Sequence, residues 1–499
     1  MAEHKLALFM GIFGGENRQN VQNLRQDSKL LELSQALNVV PDPLGAVATR
    51  DGFTHVRAAA ISGDGAITGM SHDLRAVADK FVFTDDDGDV FEDSANPPVA
   101  KSGGTDFTDG ADNLTRFDVH ESLLIITSRL RDIPQTVNAS GTRADLGGTP
   151  PRGLDYKVFG RRGFMISPSD GTTIHYEKAS YNSANDDHDA WDNPYTINFL
   201  NFGRQGSGEQ AIGAEVYADH LMCYTLNGVF PVYTTPNATA PFAFQKNIFP
   251  EKGGGPVGAH AIVSGGGKVF WVSENFDIKR QTGFEVKSIG YAAQPFLRGL
   301  SDSRRAFIVG GYEPKYRMVL WACSDGSDTA HQDVLGLQID TEQFYFFTLS
   351  VNAMASRVVS GEQRLIGGHY NGLFSNLFDG STTGDLQTAA SAIDADTITA
   401  KLHHGLPGIY KKIPYFCVFF DPIGSEVVTV QYRLDDETSW TTPSGSPITM
   451  SGTDIAEQFF EIERPYKTIQ IRIRDNNSGE RYRATMLGFP DPISTFMSL

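Results

Sequence analysis

The chain has 499 residues, with 42 Lys+Arg against 60 Asp+Glu, a formal net charge of -18, 51 Gly, 33 Phe and 20% charged residues. Its length exceeds what one hydrophobic core organises, about 250 to 300 residues, so two or three domains are expected, and its aromatic-rich, charge-poor composition excludes a disordered chain. The acidic balance disfavours a nonspecific grip on a phosphate backbone, which depends on Lys and Arg.

The opening "MAEHKLALFMGIFGG" has one Lys before a short apolar run, carries Glu3 and lacks a small-x-small cleavage site, so it predicts a first β-strand and not a signal peptide. No run approaches the roughly 18 apolar residues of a membrane span, so a soluble product of a cytoplasm is expected. In "DSKLLELSQALNVV", Leu30, Leu31, Leu33, Ala36 and Leu37 follow possible caps Asp27 and Ser28, which predicts one short helix. Residues 1–60 thus form an N-terminal segment with a short helix, packing on the larger β-rich domain downstream.

From Lys80 onward one device recurs: a strand, a short polar turn and a returning strand. The copies are "KFVFTDDDGDVFED", "SLLIITSRLRDIPQTV", "RGFMISPSDGTTIHYEK", "HLMCYTLNGVFPVYTT", "KVFWVSENFDIKRQTG", a longer one from Arg317 and "QRLIGGHYNGLFSNLFDG". Their starts, at 80, 122, 162, 220, 268, 317 and 363, lie 40 to 58 residues apart, near the period of about 40 to 50 residues of a four-stranded propeller blade. A lone hairpin cannot bury its apolar face, whereas blades stacked around an axis cover one another. Asp87-Gly88, Asp170-Gly171, Asn227-Gly228 and Asn371-Gly372 supply suitable turn residues. A β-propeller over 61–390 is therefore expected, with a sandwich or solenoid of accidental spacing as the alternative. Segments 94–114 and 138–153, rich in Gly, Pro, Asp and Ser, are expected to project as loops. Farther on, "YFCVFF", "VVTVQYRL", "QFFEIE" and "KTIQIRIR" alternate at the strand period, with Ile469, Ile471 and Ile473 opposed to Gln470, Arg472 and Arg474. Residues 396–490 are read as a separate C-terminal β-sandwich. The fold class is thus all-β, a β-propeller with an additional C-terminal β-sandwich and a short N-terminal helix.

Motifs that could carry chemistry fail on spacing. The three cysteines, Cys223, Cys323 and Cys417, each sit in an apolar run without a Cys-x-x-Cys pair, which predicts buried small hydrophobes and neither a disulfide framework nor a zinc site. "TDDDGDVFED" places Phe83 and Ser94 where a calcium loop needs carboxylates, and "SGGGKVF" has Val269 where a phosphate loop needs Ser or Thr. "NDDHDAWD" (Asp186, Asp187, His188, Asp189, Asp192) offers oxygen ligands, but neighbours on an extended chain point apart, so a solvated loop is favoured; His403 and His404 also face apart, with no visible carboxylate partner, and a structural role is expected for them. "RLDDETSW" approaches the glycosidase-associated Asp box, yet Arg433 and Glu437 stand at its Ser and Gly positions; Trp440 is expected to pack beneath a hairpin turn. No Gly-x-Ser-x-Gly elbow occurs. A structural protein is expected, with no catalytic, cofactor or metal residues.

The order of features resembles the nozzle proteins of short-tailed bacteriophages (podoviruses), also called tail hub, tail tubular or packaged-DNA stabilisation proteins. The likeness is carried by "GGENRQNVQNLRQDSKLLELSQALNVVPDPLGAVATRDGF", by "IGAEVYADHLMCYTLNGVFPVY" followed by "GGGPVGAHAIVSGGGKVFWVSENFDIKRQTG", and by "GGYEPKYRMVLWACSDG" and "VVTVQYRLDDETSWTT". It implies a homo-hexameric ring in the virion, synthesised in the host cytoplasm and set below the head-tail adaptor proteins. Tail fibre or spike proteins would dock on it, without membrane insertion, and packaged double-stranded DNA would pass through its channel without specific binding. Six copies would carry 6 × -18 = -108 formal charges, and an acidic wall repels the DNA backbone. Asp85, Asp86, Asp87, Asp89, Asp106, Asp109 and Asp112 are then candidate channel or gate residues. The rivals are a carbohydrate-binding or glycan-cleaving propeller and a scaffold for protein partners.

Overall fold

The computed structural model describes residues 12–16, 30–41, 46–61, 63, 65–73, 80–205, 209–325, 330–359, 361–379, 385–386, 390–404, 408–421, 427–449, 456–475 and 482–489. Most of the opening stretch read as a first strand, and both cap residues Asp27 and Ser28, lie outside them.

Seven antiparallel blades surround an axis. Their inner strands are Ile67–Asp73, Thr115–His120, Asp155–Phe159, Ala211–Tyr217, Ile262–Gly265, Val309–Glu313 and Ala353–Val359. Each touches the next, and the seventh touches the first, so the chain closes a propeller-like ring. The repeated hairpins of the sequence are the second and third strands of these blades, one copy per blade, for example Lys80–Asp85 with Val90–Glu92 and Met318–Cys323 with Asp333–Gln338. In blade five the hairpin runs Lys268–Val272 to Ile278–Thr282, and Phe276 turns the chain at φ 60°.

The second strands read as unbroken apolar runs because both of their faces are covered by neighbouring blades. Met318–Cys323 is buried at every position. Val319, Trp321 and Cys323 pack with Phe270, Val272 and Ile278 of blade five, while Met318, Leu320 and Ala322 join Met354 and Leu365 of blade seven. All three cysteines are free and buried, Cys223 and Cys323 in such strands and Cys417 in Tyr415–Phe420, outside the blades.

Segments 94–114 and 138–153 do not simply project. They supply the outermost strands of blades one and two, Val99–Ala100 and Arg143–Asp145. Phe107, 3% exposed, fills the seam between these blades with Val90 and Leu124. Apolar side chains anchor these Gly- and Pro-rich segments against the sheets.

Blade seven lacks a fourth strand from its own stretch of chain. Gly52–His55 supplies it, pairing antiparallel with Phe374–Asp379 through Ser375↔His55 and Asn376↔Thr54. A strand from the start of the chain thus seals the ring.

The expected N-terminal helix is a strand, Leu30–Leu37. Helix propensity in this run is outweighed by pairing: Leu33 and Ala36 are fully buried, and the strand runs parallel to Ile12–Glu16 and antiparallel to Ala395–Thr399. The one α-helix among the described residues is Gln294–Gly299, with Pro in its first turn, in the link before blade six.

Beyond the ring, Tyr415–Phe420, Ala456–Glu461 and Arg483–Gly488 extend a sheet with Val39–Pro41 and Val47–Thr49. Val427–Leu434, Ile469–Asp475 and Ala395–Thr399 continue, through Leu30–Leu37, the sheet of blade six into ten strands. The two sheets share a core of Phe416, Val418, Val430 and Ile471, which runs on into Leu320 of blade six.

Asn38 and Arg50 fasten these parts together. Asn38 is 1% exposed at φ 54°, a conformation Asn tolerates better than most residues. Its Oδ1 accepts from the Thr348 amide at 2.9 Å and from Arg50 Nε at 3.2 Å, and its Nδ2 donates to Thr348 Oγ1 at 2.7 Å and Asp394 O at 3.0 Å. The Arg50 guanidinium grips Asp385 with both ends, Nη1 to Oδ1 at 2.7 Å and Nη2 to Oδ2. Removing one partner of a buried pair leaves the other charge stranded. Arg50→Met is expected to cost about 3 to 5 kcal/mol, seen as a lower urea midpoint, with faster amide exchange in 374–379 marking the loosened seam.

Candidate functional site

The inner strands "TRFDVH" and "DYKVF" alternate charged and apolar residues, so Arg116 and Asp118 share one face and Asp155 and Lys157 another, and several of these charges meet at the hub. Arg116 Nε lies 2.9 Å from Asp155 Oδ1, its Nη1 donates to Ala259 O, and its Nη2 is 4.0 Å from Glu215. Asp155 Oδ2 accepts from the Ala214 amide at 2.9 Å, and Asp118 Oδ2 from the Val158 amide at 2.8 Å. Lys157 Nζ pairs with Glu215 Oε2 at 3.2 Å. Burial drives the Glu215 carboxyl up, but Lys157 and Arg116 more than offset it and hold it below its usual range. Nearby, His260 Nε2 donates to Thr115 O at 3.0 Å; burial pushes its imidazole down to about 3, so it stays neutral. Blades two, three and four are thus stitched across the axis to the link before blade five. Between the inner strands remains a cavity of about 180 Å³, lined by Thr68, Arg116, His260, Gly310 and Met354 among others. The hub admits small molecules and no duplex.

The seven aspartates singled out in the sequence gather on one face, in the hairpin turn of blade one and the link to blade two. Asp85 is 3% exposed and accepts the Asp89 amide at 2.8 Å. Burial pushes its carboxyl up to about 7, and the carboxylates of Asp89, Asp87 and Asp86 add to the rise. Asp86 and Asp89 are shifted upward too, burial again first. Asp89 and Asp106 flank the buried Arg143, whose Nη1 lies 3.8 and 2.9 Å away, and Asp112 pairs with Arg304. Asp87 and Asp109 are exposed and meet no basic side chain among the described residues. Asp85 alone is buried; Asp89, Asp106 and Asp112 reach the surface beside arginines, and Asp87 and Asp109 face solvent without a counter-charge among the described residues.

The acidic loop of 186–192 spreads over separate partners. His188 Nδ1 meets Glu121 at 2.7 Å and its Nε2 Asp189 at 3.4 Å, Asp186 pairs with Arg161, and Asp192 accepts from Ser183 Oγ at 2.9 Å. His404 Nε2 lies 3.1 Å from Tyr466 Oη. Asp435 accepts from the amides of Lys467 and Thr468 at 2.6 and 2.9 Å, a structural turn, and Trp440 is covered by the guanidinium of Arg433, 4.5 Å from its ring centre.

No protein-family model matches this chain, and no curated protein does. Among solved structures it is similar to the computationally designed Ika8 protein, at 8% identity and a TM-score of 0.37 over 64% of this chain and 98% of that one. It is also similar to YCF48 bound to D1 peptide, at 13% identity and a TM-score of 0.40 over 68% of this chain and all of that one. Neither likeness is close enough to bear on activity; the ring follows from the strand pairings.

The hub charges Arg116, Asp118, Asp155, Lys157 and Glu215 were not singled out from the sequence. Their signal is the placement of charged residues among apolar ones in the strands preceding the second, third and fourth repeated hairpins, where a propeller's inner strand faces its axis.

The raised Asp85 carboxyl makes folding sensitive to pH. Between the ordinary carboxylate range and about 7 the folded protein holds a proton that the unfolded chain releases, so stability falls as pH rises through this window. Asp85→Asn, which keeps an acceptor for the Asp89 amide, is expected to gain about 1 to 2 kcal/mol over the wild type near pH 8 and little near pH 4. Paired urea titrations measure this, and Glu313, also pushed up to about 7 by burial, is common to both proteins and cancels.

Proposed function

We propose that the chain is a structural subunit of a short-tailed phage tail, the nozzle or tail hub, which assembles as a ring of six below the head-tail adaptor. In this reading the ring retains the packaged genome, releases it on infection and offers docking surface for fibres or spikes. The two sheets beyond the propeller form its β-sandwich module. The observation that carries the reading is the narrow hub stitched by Arg116: a wheel whose axis keeps only a cavity of about 180 Å³ is a wall element, and a conduit for DNA has to lie between copies. The net charge of -18 per chain supports a wall along which a polyanion slides. Of the acidic set, Asp87 and Asp109 are the best candidates to face such a channel, being exposed without a basic partner among the described residues.

The rival glycan-binding or glycan-cleaving reading draws on an exposed aromatic group, Tyr233, Phe284 and His220, with the His220 and Phe284 rings 5.0 Å apart. Mass measurement and negative-stain class averages separate the two. A ring of about six with a central hole is the expected result, and a monomer that turns over a glycan panel would overturn it. Replacing Asp87 and Asp109 with Asn is expected to leave the ring intact while changing how firmly virions retain their genome; unchanged virion stability and infectivity would remove these residues from the channel.

A further inference from the structure

On the propeller face built from the second-to-third-strand turns and the links into each inner strand lies a second cavity, of about 440 Å³. Its size falls in the range of small-ligand sites. Its apolar lining includes Leu154, Ile174, Ile212 and Val257, and its polar side chains are Arg129, Arg131, Tyr176, Gln210 and the neutral His260. The two arginines set it apart from its surroundings. On the same face Arg143 is paired with Asp106, and Arg304 with Asp112. Arg129 and Arg131 meet no carboxylate within ion-pair distance among the described residues, although the chain carries 60 Asp and Glu. Both guanidinium groups are shifted down by burial; the carboxylate of Asp112 offsets part of this at Arg129, while no carboxylate does so at Arg131.

Both are also held in place. Arg131 donates from Nε to Ser167 O and from Nη2 to Ser167 Oγ, each at 3.1 Å, and stacks over Tyr176 at 5.4 Å from the ring centre. Among the described residues its Nη1 end has no hydrogen-bond partner. Arg129 lies over Phe307 at 4.1 Å. Arg131 and Ser167 both adopt left-handed backbone, at φ 59° and 51°, a strained arrangement that clusters at binding sites. A planar, fixed guanidinium with open donors matches the two oxygens of a carboxylate or phosphate, and the apolar lining matches a hydrocarbon or ring behind it.

We propose that this cavity is a binding site for a small anion, a carboxylate or phosphate carried on an apolar body, with Arg129 and Arg131 as the charge-recognising residues. The site belongs to one chain and is independent of whether copies form a ring.

The test uses the full chain and calorimetric titration with 3-phenylpropionate, phenyl phosphate and the neutral 3-phenylpropanamide at millimolar concentrations. At least one anion is expected to bind, with the amide weaker by about tenfold or more, and Arg131→Gln should weaken the anion by about tenfold while leaving the amide unchanged. Preference between the two anions assigns the headgroup. Thermal unfolding checks that the variant folds; if it does not, Arg129→Gln, whose side chain makes no hydrogen bond among the described residues, gives the same reading. Binding of neither anion, equal binding of the amide, or anion binding unaffected in the folded variant would overturn the assignment.

Discussion

The fold depends on a ring being closed by a strand that is synthesised before any blade. Six blades complete four strands from contiguous chain, but the seventh stays one short until Gly52–His55 returns to Phe374–Asp379. Closure over more than 300 residues of intervening chain carries a large loop entropy, and a four-residue strand alone gives few hydrogen bonds against it. The buried cluster of Asn38, Arg50 and Asp385 sits immediately beside this strand and supplies charge-assisted bonds that exist only when both ends have met. Such a pair selects one arrangement more than it adds net stability, because stranding either charge is far worse than never forming the contact.

Closure also explains the character of the hub. With inner strands forced together at the axis, their charged side chains lose water and must satisfy one another. Arg116 serves Asp155, Glu215 and the Ala259 carbonyl at once, and Lys157 completes the set. The cavity bearing Arg129 and Arg131 adjoins this hub, and His260 lines both.

The repeat was legible in the sequence because each blade's second strand is covered on both sides. The starts at 80, 122, 162, 220, 268, 317 and 363 fall one to a blade, since unbroken apolar runs followed by turn residues are hard to produce otherwise. The outer strands were not legible. Val99–Ala100 is two exposed residues in a Gly- and Pro-rich stretch, and nothing local separates it from a loop. Leu30–Leu37 failed for the opposite reason: its spacing suits a helix, and pairing with Ile12–Glu16 on one side and with Ala395–Thr399, several hundred residues away, on the other makes it a strand. The acidic set was visible as composition, but Arg143 and Arg304, which neutralise part of it, lie 37 and 192 residues from Asp106 and Asp112. No sequence window contains both halves of those pairs.

One sheet of ten strands passes from blade six through Leu30–Leu37 into Ile469–Asp475 and Val427–Leu434. The ladder meets blade six through two single pairings, Glu16↔Phe344 and Leu37↔Phe346, and the continuous link is the apolar core that Leu320 shares with Phe416 and Val430. Swinging the outer strands against the wheel would therefore have to open that core and expose Leu320 and Phe416 to water.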